Sequence, residues 1–224
     1  MIRYAWRLCR RIQGHAQTDE PRGVAAIAPL IRTATVATSM TDLNDDVFAA
    51  ARQRGRTLLT EELVALIERH HPHDRPGVAR EVVTRYGDGL DDETSYNFDR
   101  DAFVEEVDTR LVDTGTWQGT DALYAIGDDR VSRYPARWHD ALGGSTDIRE
   151  YVVFLLEECD GYVDDLESGA AGRGIPEDEL LDIVSVVGRI DRETAKAAVE
   201  SGRDAGDLAE DADQHPDARV RPAE

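Results

Sequence analysis

The sequence predicts a mainly α-helical protein with short β-hairpins, an α+β chain that uses one supersecondary plan twice. Three observations carry this reading. Apolar residues recur at helical spacing in several separate stretches, a capping residue stands before most of them, and each of two helix runs closes on a hairpin signal. The first run occupies residues 40–142 and the second 143–224.

Helices are expected near 42–54, 60–70, 76–86 and 99–113. Asp42 or Asn44 caps the first. Thr60 caps the second, with Glu61 and Glu62 in its first turn and Leu63, Leu66 and Ile67 on its apolar face. Gly87 and Gly89 end the third. Asp99 caps the fourth, where Phe103, Val104, Val107 and Leu111 fall on one stripe. "ALYAIGDDRVSRYP" then sets two short runs around Gly127-Asp128-Asp129, a hairpin signal. In the second half, "STDIREYVVFLLEECDGYVDDL" reads as one helix capped by Ser145 or Thr146, with Tyr151, Phe154 and Leu155 inward. "ESGAAGRG" is a flexible connection. Pro176 suits a first helical turn, and Leu180, Leu181, Val184 and Val187 follow it as an apolar stripe. Gly188 breaks the chain, Asp191 caps the next helix, and Ala195, Ala198 and Val199 face the core. Gly206 closes that helix, and "DLAEDADQHPDARV" has the length of a small two-stranded hairpin.

Three helices followed by a hairpin, with the turn in "VVGRIDRETAKAAVE", resemble the winged helix-turn-helix superfamily found in archaeal transcription and replication proteins. The resemblance covers 175–221 and, more loosely, 57–138, where the long loop 87–98 departs from the pattern. It implies tandem winged-helix modules. In that superfamily the third helix enters the major groove and the hairpin, or wing, meets the flanking backbone.

The composition points to a salt-rich cytoplasm. Acidic residues outnumber basic ones 46 to 26, the formal net charge is −20, and Lys196 is the only lysine. Carboxylates hold water and cations well, and the balance resembles that of extremely halophilic archaea. Dialysis into low salt, followed by circular dichroism, is therefore expected to cost the protein its structure, because unscreened self-repulsion opposes the compact state. A fold unchanged at low salt would count against this reading. Cys9 and Cys159 have no CxxC partner, which fits a reducing compartment and excludes a four-cysteine zinc site. No run of 18 apolar residues exists, so no membrane span is expected.

Residues 1–39 break the acidic rule, with six arginines against two acids. They read as an over-extended start or a disordered tail ahead of Met40, with a basic nucleic-acid arm or a targeting segment as the alternatives.

Two basic groups are the candidate nucleic-acid contacts. Arg192, Lys196 and Arg203 lie within about 40° of one another at 100° per residue on the third helix of the second half. Glu193 and Glu200 flank them, so pairing on a solvated helix explains the same pattern. In the first hairpin, "RVSRYPARWHD" gathers Arg130, Arg133 and Arg137 with Tyr134 and Trp138, a mixture that suits nucleic-acid backbone. The alternative is that the two rings anchor the hairpin while the arginines neutralise carboxylates. His70, His71 and His73 stand near Asp74 without a familiar metal spacing, and His139 and His215 read as isolated. No metal, cofactor or enzyme activity is expected. The leading expectation is a DNA-binding regulatory or chromosome-associated protein of the cytoplasm. The alternative is a non-enzymatic interaction or scaffold protein, with a protein partner or a homodimer, built on the same modules.

Overall fold

The computed structural model describes residues 43–93, 98–168, 174–211 and 218–223, all within one compact unit spanning 41–224. The expectations for 1–39, Met40 and Asp42, for most of the 167–174 connection and for His215 lie outside the described residues.

The chain is a mixed α/β structure with two small sheets among the described residues. The first half holds α1 (Asp45–Arg54), α2 (Thr60–His70), β1 (Val78–Ala79), α3 (Arg80–Asp91), α4 (Arg100–Arg110), β2 (Leu111–Val112), β3 (Leu123–Ala125) and β4 (Arg130–Ser132). After α5 (Ala136–Leu142), the second half holds α6 (Ile148–Glu157), α7 (Asp160–Ser168), β5 (Ile175–Pro176), α8 (Glu177–Val187), α9 (Arg192–Ala205), β6 (Leu208–Asp211) and β7 (Arg219–Pro222). Both halves repeat one order, in which a two-residue strand precedes two helices and a hairpin follows them. In each, the first strand pairs antiparallel with the last, giving sheets β1-β4-β3-β2 and β5-β7-β6. β2 is an addition to the first sheet, parallel to β3.

Local chemistry accounts for most of the boundaries. The side chains of Asn44, Asp99 and Asp191 each accept a backbone N–H from the turn they cap. Gly206 closes α9 in the left-handed region at φ 77°. The β3–β4 turn needs three successive residues at positive φ, and it places Gly127, Asp128 and Asp129 there.

Several expectations need correction. Thr60 is the first residue of α2 and not its cap; its hydroxyl donates to Glu106 at 2.5 Å, while the Glu62 carboxylate accepts the Leu59 N–H. α3 runs through Gly87 and Gly89 instead of ending there. A Cβ at Gly87 would lie 3.2 Å from the Phe103 ring, and one at Gly89 would lie 2.8 Å from Phe48, so these glycines let neighbouring helices approach. The stretch after Gly144 is two helices broken at Glu158–Cys159, and Asp147 caps the first of them. Pro176 belongs to β5 and caps α8 from outside. Pro135 leads into a helix, so Trp138 sits on α5 and not on the hairpin.

Two hydrophobic clusters fill the unit. One lies within the first half, around Phe48, Ile67, Tyr86, Leu90 and Phe103. The other starts in the first half at Ala65, Trp117, Tyr124 and Trp138 and continues through Tyr151, Leu155, Val184, Val199 and Val220. The seam between the halves is thus an aromatic core.

Candidate functional site

Five of the six candidate basic residues are engaged inside the protein. Arg192 pairs with Asp178 at 2.6 Å and with Asp182, both on α8. Arg203 pairs with Glu210 on β6 and stands 3.6 Å from Glu177. Arg130 donates to the carbonyls of Pro76 at 2.7 Å, Arg75 at 3.1 Å and Gly77, fastening the loop ahead of β1. Arg133 donates to the Ala122 carbonyl and lies over the Trp117 ring. Arg137 grips the carbonyl and carboxylate of Glu158 and lies over Phe154. Tyr134 and Trp138 are buried in the aromatic seam. Lys196 alone of the six is exposed with no carboxylate in pairing range among the described residues. Arg192 and Arg203 thus face carboxylates, Arg130 and Arg133 face backbone and a ring, and Arg137, on α5, faces Glu158.

The solvent faces of α4 and α9 have a different character. On α9 the exposed residues include Glu193, Glu200 and Asp204 against Lys196. On α4 they are Asp101, Ala102, Glu105, Asp108 and Thr109. Arg100 pairs with Asp101, and Arg80 with Asp108, from the flanks. Both faces present carboxylates outward. Leu59 is the exposed large apolar side chain among the described residues, and no helix there is long and apolar enough to cross a membrane.

A buried polar cluster escaped the sequence reading. Glu68 on α2 is 1% exposed, and its carboxylate accepts from Ser132 Oγ at 2.8 Å and from the Gly77 N–H at 2.8 Å. Ser132 Oγ lies 2.8 Å from His139 Nε2 and accepts the Tyr134 N–H, so His139 is not isolated. Burial pushes the Glu68 carboxyl up to about 7, against the hydrogen bonds that favour its charge. Burial pulls His139 down to about 3. Serine, histidine and glutamate here do not form a nucleophilic relay. The carboxylate and the serine both approach the same imidazole nitrogen, whereas a relay needs them on opposite ones. Ser132 also has no exposed surface. The cluster joins α2, β4 and α5 across the first half. The readable signal was a glutamate set among the apolar residues of a helix.

No protein-family model matches the chain, and neither a curated protein nor a solved structure does so significantly.

Proposed function

We propose that the two halves are tandem winged-helix modules that serve as a non-enzymatic interaction scaffold in a salt-rich cytoplasm. The repeated order and the first-strand-to-last-strand pairing of both sheets support the modular reading. One observation carries the choice of scaffold over groove reader. The outward faces of α4 and α9, which a winged helix would lay into the major groove, are acidic. A phosphate backbone meeting those carboxylates gains nothing and releases no counterions. At molar salt the Debye length is about 3 Å, so only contacts at pairing distance count, and acidic side chains at that distance suit a partner surface bearing arginine.

A second reading, a DNA-binding regulatory or chromosome-associated protein, is favoured by exposed Lys196 on the same helix row as Arg192 and Arg203. One experiment separates the two. Nuclease-treated lysate in molar potassium chloride is expected to leave a protein partner, or a second copy of the chain, bound to the tagged protein. Duplex DNA is expected to show no anisotropy change at any salt that keeps the fold. DNA binding whose salt slope falls by about one in Lys196→Ala would overturn the scaffold reading in favour of the second.

A further inference from the structure

We propose that the cleft between the end of α2 and the α8–α9 turn binds the diphosphate group of a small phosphorylated molecule. The cleft measures about 390 Å³ and is bordered by Arg69, Arg189 and Arg192 together with His70. That volume lies within the range of small-molecule sites, roughly 300–1,000 Å³. Three arginines line this cleft in a chain with a formal net charge of −20.

The carboxylates on the cleft wall have partners of their own. Glu68 directs its carboxyl inward to Ser132 and Gly77. Asp191 is held by the backbone N–H and hydroxyl of Thr194, at 2.8 and 2.6 Å. Asp182, outside the lining of this cleft, is shared between Arg69 and Arg192, and Asp178 takes a second contact from Arg192. Two carboxylates therefore serve Arg69 and Arg192 and leave Arg189 out. Arg69 keeps a buried Nε with no acceptor among the described residues. Arg189 has no carboxylate in pairing range among them; its Nη1 donates to the Asp74 carbonyl at 3.0 Å.

Arg189 also sits in the left-handed region at φ 56°, although a glycine stands next to it. Gly188 is tied down for another reason: a Cβ there would lie 2.6 Å from both Tyr151 Oη and the Val184 carbonyl. The turn thus places an arginine where glycine would be at ease, and strain of this kind collects at ligand sites. Planar guanidinium forks match phosphate oxygens in pairs, and several of them favour an anion with more than one phosphate charge.

Arg189→Gly tests this, since it removes the fork and relieves the backbone. Calorimetric titration with pyrophosphate, at neutral pH in molar potassium chloride, is expected to show one site in the wild-type chain. In Arg189→Gly the affinity is expected to fall roughly ten-fold or more while Tm rises. Arg149→Gln, on α6 outside the cleft, is expected to bind as wild type. A nucleoside triphosphate binding much more tightly than pyrophosphate would assign the group to a nucleotide, and equal affinity would assign it to the free diphosphate. The proposal is overturned if pyrophosphate gives no binding at any salt that keeps the fold, or if Arg189→Gly binds it as tightly as the wild type.

Discussion

Trp138→Ala is expected to cost about 3–5 kcal/mol, the range for truncating a buried tryptophan. The side chain is 1% exposed. It stacks on Trp117 with centroids 5.3 Å apart and on Tyr134 at 5.4 Å, and it meets the edge of Tyr162 at 5.3 Å. Trp117 is itself fixed by its Nε1, which donates to Asp165 at 2.6 Å. Removing the middle ring therefore opens a cavity lined by rigid aromatics that cannot collapse into it. Because the same cluster contains Tyr151, Val184 and Val220, the loss is felt on both sides of the seam. Denaturant melts in molar salt are expected to show one transition, shifted to lower denaturant for both halves together. A total stability of 5–15 kcal/mol is typical of such domains, so the shift is a large fraction of the whole. A change below about 1 kcal/mol, as for a surface residue, or two separated transitions, would contradict this account of the seam.

The same seam shows where the sequence was legible and where it was not. α9 could be read from Asp191 to Gly206, because its cap, its stripe and its stop are all local. The β3–β4 turn was legible for the same reason. α5 was not: "YPARWHD" looks like the end of a basic and aromatic hairpin, and its inward face is defined by Trp117, distant in sequence. β1 and β5 are two residues each, too short to show alternation, and exist because β4 and β7 lie beside them. Gly87 and Gly89 read as a stop but serve contacts with Phe103 and Phe48. Charge misled in a similar way. Arg130 and Arg192 are cationic in any count, yet Pro76 and Asp178 occupy them, and those partners are set by the fold. Glu68, Ser132 and His139 come together only once α2, β4 and α5 have packed.

That buried trio leads to a prediction about pH. Glu68 has its carboxyl raised from 4.5 to about 7 in the folded chain. Between those values the native state holds a proton that the unfolded chain has lost, so this group's contribution is complete below 4.5 and disappears as pH rises through 7. His139 runs the other way. Lowered from 6.5 to about 3, it is neutral in the fold where the unfolded ring is charged, so its contribution is complete above 6.5 and is lost as pH falls toward 3. From 4.5 to 6.5 the two slopes oppose and cancel, since native and unfolded chains each keep one proton on the pair. Glu68→Gln removes the first slope and keeps one acceptor oxygen for the Gly77 N–H, with its amide N–H2 facing the Ser132 hydroxyl. Relative to wild type, its stability is expected to rise with pH by about 1.4 kcal/mol per unit across that window, on the order of 3 kcal/mol in all. His139→Asn is expected to produce the opposite tilt. Unfolding free energies measured at several pH values in molar salt give both difference profiles, in which the other carboxylates and histidines subtract out. Profiles that run parallel to wild type from pH 4.5 to 6.5 would show that the trio does not titrate as its burial requires.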